Sequence, residues 1–213
     1  YLHMAQRRAP NNPDVERSLA GYYRETGDYA KAINELKAIR NPSPDVMGEM
    51  GYTYQLDGKA QDAARMYVQA ANAMPHSLGM QLSAAQAEVS AQEPDRANLF
   101  LTRAAQINPG YYRLHQIRAE IAELSEHDDT AVKEYQQAIA SLPPTPAEGP
   151  LYGIQLHMNL HALYHQLGQD DQAQQQLEIA QQQINSAQVQ PGERPGFLRL
   201  RAQIEMNEGQ LQP

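Results

Sequence analysis

The stretch GYTYQLDGKAQDAARMYVQAANAMP (residues 51–75) contains two helical patterns that are joined by a glycine. Small and apolar residues recur three and four positions apart on both sides of Gly58, and Pro75 follows the second run. Such spacing is typical of an amphipathic helix, and a glycine favours the left-handed backbone that ends one. Proline prevents the second helix from continuing. The stretch therefore predicts two helices joined by a tight turn.

The same pattern recurs along the chain. Prolines at positions 10, 44, 75, 109 and 143 are separated by 34, 31, 34 and 34 residues. An alanine column is spaced by 31, 34, 34 and, across an insertion, 42 residues: Ala32, Ala63, Ala97, Ala131 and Ala173. A column of large residues keeps them too: Leu36, Tyr67, Leu101, Tyr135 and Leu177. Independent columns with one period predict repeated helix pairs, each of which buries its apolar face against its neighbours.

Composition agrees with an all-α chain, because 30 of the 213 residues are alanine and 26 are glutamine, which favour helix over strand. We predict helix pairs at residues 14–26 with 29–40, 45–57 with 60–73, 77–90 with 94–107, 111–125 with 128–141, and 151–167 with 170–184. The predicted organisation is one array: a half-repeat (1–12), repeats at 13–43, 44–77, 78–111 and 112–143, an inserted loop (144–153), a fifth repeat (154–187) and a half-repeat (188–213).

The glycine, tyrosine, alanine and proline positions of residues 51–75, and of GYYRETGDYAKAINEL (21–36), resemble the tetratricopeptide repeat (TPR) family. Glu88 and Ala122 depart from its pattern where other repeats have tyrosine, and Gln92 and Glu126 replace the turn glycine. The resemblance implies an all-α, right-handed superhelical solenoid of antiparallel helix pairs, whose first helices line a concave groove for a peptide or protein. Because half-repeats flank the five pairs, we expect the sequence to be part of a larger bacterial protein.

The family pattern also gives the residues that we expect to face the groove. The predicted partner-binding residues are Arg17, Arg24, Glu49, Tyr52, Gln55, Gln86, Arg113, Gln116, Glu120, Glu123, Asn159 and His165, with Asp14, Gly21 and Asp45 beside them. The lysine and asparagine clamp with which some family members grip a C-terminal carboxylate is absent from the matching positions. The predicted groove is basic near Arg17 and Arg24 and acidic near Glu120 and Glu123.

Charge is unevenly distributed along the chain. Residues 119–193 contain 11 acidic residues and one basic residue, a net of −10, within a total of −8. An acidic chain lacks the concentrated basic surface that nucleic acid requires, so we expect no nucleic-acid partner. The segment PPTPAEGPL (143–151) cannot be a continuous helix, and it is predicted to be a surface loop or, alternatively, a hinge or partner contact.

Three clusters suggest chemistry. His157, His161 and His165 are four residues apart and could share a helix face and a metal, but two of them fall on columns that pack inside, so we predict a structural or groove role. The acidic runs at 126–129 and 168–171 are interpreted as helix starts rather than as calcium loops. The glutamine-rich stretch 171–190 keeps apolar residues at helical spacing and is predicted to be an amphipathic helix.

No phosphate-binding loop, nucleophile elbow or paired carboxylate motif is present, and the chain has no cysteine. We therefore predict no enzymatic activity, cofactor or metal.

No apolar stretch approaches the roughly 18 residues that span a bilayer, so we expect no membrane insertion of this region. The lack of cysteine and the four lysines favour a periplasmic over a cytoplasmic setting.

These observations predict a non-catalytic protein–protein interaction scaffold that binds a peptide or protein segment in the groove. A second hypothesis is a structural spacer or oligomerisation module of a bacterial envelope or polysaccharide-export machine, with self-association through the half-repeat ends. A third is a ligand-sensing array that compacts on a peptide or small ligand. An open groove would favour the first hypothesis over the second.

Overall fold

The computed structural model describes Met4 and residues 12–210, except for the side chains of residues 208–210. The chain divides into two compact units, Tyr1–Pro109 (unit 1) and Gly110–Pro213 (unit 2). Every regular element in the described part is a helix, and that part contains no strand. The prediction of an all-α fold is confirmed.

Unit 1 contains three helix pairs in sequence. Each pair consists of a first helix and a second helix: α1 (Pro13–Glu25) with α2 (Tyr29–Ala38), α3 (Pro44–Leu56) with α4 (Ala60–Ala73), and α5 (Leu78–Ser90) with α6 (Pro94–Ile107). Each helix packs against the next one along the chain. The first helices begin at polar caps, since Asn12, Ser43 and Ser77 each accept a hydrogen bond from a backbone N–H of the first turn.

Unit 2 contains two further pairs and a last helix. They are α7 (Tyr112–Leu124) with α8 (Asp128–Ala140), α9 (Tyr152–Gln166) with α10 (Asp170–Ser186), and α11 (Arg194–Gln210), which follows a short 3-10 turn at Pro191–Glu193. Acidic residues occupy the first turns of α8 and α10, as predicted for helix starts, where they face the positive end of the helix dipole.

The alanine and large-residue columns form the cores. In unit 1, Ala20, Ala32 and Leu36 pack with Val46 and Met50 in one buried cluster. Gly51 is the point of closest approach between α3 and α4, because a Cβ atom there would lie only 2.8 Å from the ring of Tyr67. A glycine is therefore required at this crossing, since real Cβ atoms do not approach a ring so closely.

Unit 2 has two buried clusters. Tyr135, which is 1% exposed, packs with the alanine columns and with Leu156 and Leu160. In the second cluster, α11 covers the last pair by placing Leu200 and Ile204 against Met158 and Leu177 and their neighbours. α11 therefore packs on the last helix pair through apolar side chains.

The turns within pairs use a left-handed residue in every repeat. Gly27, Gly58 and Gly168 have φ values of 76°, 71° and 68°. Gln92 and Glu126, which replace the glycine in repeats 3 and 4, have φ values of 61° and 57°. These two residues adopt the glycine conformation although it costs a side-chain-bearing residue about 1–2 kcal/mol.

All ten predicted helices of the five pairs lie within two residues of their predicted bounds. The amphipathic reading of the glutamine-rich segment is also confirmed, because Ala173, Leu177, Ala180 and Ile184 are the buried residues of α10. The repeat boundaries and their arrangement as one array stay a prediction. The N-terminal half-repeat at residues 1–12 lies outside the described residues apart from Met4 and Asn12.

Candidate functional site

The predicted partner-binding residues all lie on first helices, and none of them is fully buried. They form two sets, one in each unit. Unit 1 holds Asp14, Arg17, Gly21 and Arg24 on α1, Asp45, Glu49, Tyr52 and Gln55 on α3, and Gln86 on α5. Unit 2 holds Arg113, Gln116, Glu120 and Glu123 on α7, and Asn159 and His165 on α9.

In unit 1, residues of α1 and α3 meet in one network, which we call the unit 1 face (Arg17, Arg24, Glu49 and Tyr52). Arg17 Nε donates a hydrogen bond of 2.9 Å to Glu49 Oε1, and Arg24 Nη1 lies 3.8 Å from Glu49 Oε2. The hydrogen bond with Glu49 raises the pKa of Arg17 above its ordinary value. The predicted basic end of the groove is therefore partly neutralised by Glu49.

Arg24 also connects the charges to an aromatic ring. Its guanidinium carbon lies 6.0 Å from the centroid of the Tyr52 ring, and its Nη1 donates a 3.5 Å hydrogen bond to the buried Thr53 hydroxyl. Tyr52 itself is 49% exposed. Rings and guanidinium groups in this arrangement attract each other and hold the arginine in one position. The unit 1 face thus presents an exposed ring beside an arginine that is already oriented.

In unit 2, three of the predicted residues, Gln116, Glu120 and Glu123, are joined by hydrogen bonds that also involve Tyr135 and Tyr152. We call these five residues the unit 2 network. The buried hydroxyl of Tyr135 donates a 2.8 Å hydrogen bond to Glu123 Oε2. Burial raises the pKa of the Glu123 carboxyl, although the hydrogen bond from Tyr135 opposes this effect. Burial raises the pKa of Tyr135 as well, so this hydroxyl stays a donor.

The rest of the unit 2 network joins α7 to α9. The Tyr152 hydroxyl donates to Gln116 Oε1, and Gln116 Nε2 donates a 2.7 Å hydrogen bond to Glu120 Oε1. On α9, Gln155 Nε2 donates to Asn159 Oδ1 at 2.9 Å. The polar groups of this surface are therefore hydrogen-bonded to one another. Burial raises the pKa of the Tyr152 hydroxyl, so this group stays a donor.

The proline-rich loop is held against the start of α7 by Glu148. The hydroxyl groups of Tyr111 and Tyr112 donate hydrogen bonds to its carboxylate, and Arg113 Nε lies 3.6 Å from Glu148 Oε1. The backbone N–H of Ala147 donates to the Tyr112 hydroxyl at 3.1 Å. Arg113, a predicted groove residue, is therefore engaged by the chain's own loop.

The histidine row does not form a joint site. His157 Nδ1 lies 2.8 Å from Gln176 Oε1, and the buried His161 donates from Nδ1 to the Ala173 carbonyl at 2.9 Å. His165 is exposed, and its ring centroid is 6.3 Å from that of His161. Hydrogen bonds between α9 and α10 thus account for the two inner histidines. In the described part of the chain, no group of three or more His, Cys, Asp or Glu residues is arranged to hold a metal ion.

Sequence reasoning missed several residues of these surfaces. Thr53 and Tyr135 occupy core positions, and only the three-dimensional contacts show that their hydroxyl groups reach Arg24 and Glu123. Glu148 lies in a loop without periodicity, where a lone carboxylate among prolines was the one available signal.

None of the helices within residues 12–210 is both long and apolar enough for a membrane span.

No family model matches this sequence, and no curated protein matches it either. Solved structures do match. The chain is similar to a tetratricopeptide repeat protein from Parabacteroides merdae (TM-score 0.74, 15% identity, 97% of this chain and 77% of that one). It is also similar to TTC0263, a TPR protein from Thermus thermophilus (TM-score 0.67, 20% identity, 92% and 98%), and to MamA from Desulfovibrio magneticus (TM-score 0.63, 14% identity, 83% and 97%).

These similarities and the stacked helix pairs place the chain among the α-helical repeat proteins. Within that class, its fold is the tetratricopeptide repeat fold. The fold predicted from the glycine, alanine and proline columns is confirmed.

Proposed function

We propose that this chain is a non-catalytic protein-interaction scaffold, and that the unit 1 face binds a segment of a partner protein. The observation that carries the proposal is the meeting of four predicted groove residues in one surface network: Arg17, Arg24, Glu49 and Tyr52. Arginine and tyrosine are enriched among the residues that dominate binding energy at protein interfaces. Their positions are set by α1 and α3, so little conformational freedom is lost on binding.

The proposed partner is a segment that carries carboxylate or other acceptor groups. Two guanidinium groups share the single carboxylate of Glu49, and the Oε2 atom of Glu49 receives no hydrogen bond from a described residue. An incoming carboxylate could therefore bind one of the two arginines while Glu49 keeps the other arginine as its partner. The acidic balance of the chain supports a protein rather than a nucleic acid as partner.

The proposal is tested by affinity capture with matched variants. The wild-type chain, the double variant Arg24→Ala with Tyr52→Ala, and the control Arg103→Ala are immobilised, and retained proteins are identified by mass spectrometry. Arg103 is an exposed arginine of the second helix α6, so the control removes one arginine away from the first helices. We expect a partner that the wild type and the control retain and that the double variant loses. Retention of the same proteins by all three chains would show that the unit 1 face does not bind the partner.

A second candidate function, a spacer that associates with itself, is favoured by α11. This helix buries Leu200 and Ile204 but leaves Leu198 60% and Met206 67% exposed. Exposed apolar residues on one helix are a feature of association surfaces. Light scattering of the wild type and of a Leu198→Lys, Met206→Lys variant tests this candidate. A larger mass for the wild type alone would support it, and equal monomer masses would exclude it.

A further inference from the structure

Glu88 is an ionisable residue in the core of unit 1. It is 0% exposed, and neither of its carboxylate oxygens receives a hydrogen bond from a described residue. Arg96 Nη2 approaches Oε1 to 2.8 Å, but it is not aligned to donate a hydrogen bond, and the Arg96 side chain is 54% exposed. A buried carboxylate without hydrogen bonds is costly, so its presence calls for a physical explanation.

The repeat pattern shows why the space around Glu88 is incomplete. Glu88 occupies the position of Tyr54 in the preceding repeat and of Tyr164 in the last one. The ring of Tyr164 is met by the preceding second helix, where Gln136 Nε2 donates to the tyrosine hydroxyl at 2.9 Å. In repeat 3 the ring is missing, because glutamate replaces tyrosine.

The donor from the neighbouring helix is missing as well. Lys37 lies 5.6 Å from the Tyr54 ring, and the residue of α4 at the corresponding repeat position is Val68, which cannot donate. Both halves of the usual contact have therefore changed together. The result is a cavity of about 350 Å³ that is lined by Ala64, Val68, Glu88, Ala91 and Arg96.

We propose that this cavity is a binding site for a planar cation on an apolar stem, an amidinium or guanidinium group, which forms hydrogen bonds with the Glu88 carboxylate. The apolar part of the ligand lies against Ala64, Val68 and Ala91 in the space of the missing tyrosine ring. A planar cation supplies two parallel N–H donors, the geometry that a carboxylate binds best. In the ligand-free chain, Arg96 lies beside the Glu88 carboxylate without an aligned hydrogen bond, and the ligand displaces the Arg96 side chain towards solvent.

The charges around the cavity favour a cation over an anion. Two carboxylates, Glu88 and Glu93, and two arginines line it. Arg65 is already paired with Asp62, and the ligand takes the place of Arg96, so the remaining lining charge is negative. Burial raises the pKa of the Glu88 carboxyl, because the ionised form is poorly solvated there, and hydrogen bonds from a bound cation would stabilise that form. The site shares no residue with the unit 1 face, so the two proposals succeed or fail separately.

The test is a titration of the whole chain with benzamidine, followed through the backbone amide signals by NMR spectroscopy. We expect saturable shifts that centre on Ala64, Val68 and Ala91. Benzyl alcohol, which has the same ring and no charge, should bind at least about tenfold more weakly, because it lacks the charge-assisted hydrogen bonds. N-acetyl-arginine amide distinguishes the two sources of the cation: shifts with this probe would assign the site to an arginine side chain of a partner, and shifts with benzamidine alone to a small molecule.

Variants make the assignment specific. Glu88→Gln should weaken benzamidine binding at least about tenfold, Glu88→Tyr should abolish it by filling the cavity, and Arg96→Gln should strengthen it by removing the competitor. Glu25→Gln, at an exposed carboxylate of α1, is the matched control and should bind as the wild type does. Wild-type affinity in Glu88→Gln, or shifts that centre outside the cavity, would overturn the proposal. Because the Arg96 side chain is 54% exposed, Arg96→Gln keeps the apolar lining of the cavity and removes only the competing cation. Unaltered or weaker binding by that variant, with the chain still folded by circular dichroism, would also count against the proposal.

Discussion

The unit 1 face and the unit 2 network both contain polar residues that the repeat pattern placed on the predicted groove, but these residues are held in different ways. In unit 1, Arg17 is 44% exposed and pairs with Glu49 at the surface. In unit 2, Glu123 accepts its hydrogen bond from Tyr135, which is 1% exposed. Exposed ion pairs add little stability, whereas a hydrogen bond from the core is costly to remove. The unit 1 residues should therefore be replaceable at little cost in stability, while those of unit 2 also hold the helices together.

The largest loss of stability is expected from Gly51→Leu, at the buried side of α3, the helix that carries Glu49 and Tyr52 of the unit 1 face. The new side chain would meet the Tyr67 ring, to which even a Cβ atom would come within 2.8 Å, and would separate α3 from α4. We expect a loss of stability of about 3 kcal/mol or more, measured by thermal denaturation followed by circular dichroism.

The control for this change is Gly79→Leu. Gly79 also lies on a first helix, but a Cβ atom there would meet no other atom within 4 Å. The control should melt near the wild-type temperature. If both variants melt alike, the crossing of α3 and α4 is not as close as the structure places it.

The next effect concerns the unit 2 network. Tyr135→Phe removes the donor of the 2.8 Å hydrogen bond and leaves the Glu123 carboxylate without it. The expected loss of stability at neutral pH is about 1–3 kcal/mol. Tyr22→Phe, at a tyrosine of unit 1 that is 49% exposed, is the control and should have almost no effect.

The pH dependence of the Tyr135→Phe deficit follows from the pKa of Glu123. Burial already raises that pKa above 4.5, and loss of the hydrogen bond raises it further. A carboxyl whose folded pKa is raised contributes stability below its unfolded pKa and loses that contribution as the pH rises through the folded value. The deficit should therefore be smaller at pH 4 than at pH 7. An equal deficit at both values would show that Glu123 is not the partner that matters.

The sequence predicted the positions of the helices and the surface of the candidate residues, because both depend on periodicity. The alanine columns and the Gly51 position follow from the close packing of paired helices, which leaves Gly51 against the Tyr67 ring and buries Ala119 with Ala131. Side-chain pairing depends on rotamers instead. The Arg17–Glu49 and Tyr135–Glu123 contacts join residues of different helices, and nothing in the spacing distinguishes a paired arginine from a free one.

Irregular features could not be predicted for a related reason. The contact of Glu148 with Tyr111 and Tyr112 depends on the path of a loop that has no counterpart in the other repeats. Glu88 was visible as a departure from the tyrosine position, but its cavity also depends on Val68 in the neighbouring helix. Glu88 alone shows only that one repeat departs from the pattern. The proposed cation site also requires the second departure, Val68, on the facing helix.

A smaller, stabilising effect is expected at the turn before α8. Glu126 has a φ value of 57°, whereas Gly58 occupies the same turn position in unit 1. Glu126→Gly should raise the stability of unit 2 by about 0.5–1 kcal/mol, because relief of the left-handed strain exceeds the entropy that glycine adds to the unfolded chain. The control is Glu126→Ala, which removes the same charge but keeps a Cβ atom. A gain in both variants would assign the effect to charge rather than to backbone strain.

The smallest effect on stability is expected from Arg17→Ala, and it is the sharpest test of the difference between the two surfaces. Removal of Arg17 does not isolate Glu49, because Arg24 remains 3.8 Å from its other carboxylate oxygen. Since Arg17 is 44% exposed, the fall in melting temperature should correspond to a loss of stability of less than about 0.5 kcal/mol, and this loss should shrink as salt is added. Retention of the partner found by affinity capture should nevertheless fall, while Arg103→Ala retains it. A clear loss of stability with undiminished partner retention would show that the unit 1 face is structural, as the unit 2 network is, and the search for the binding surface would then move to the second helices.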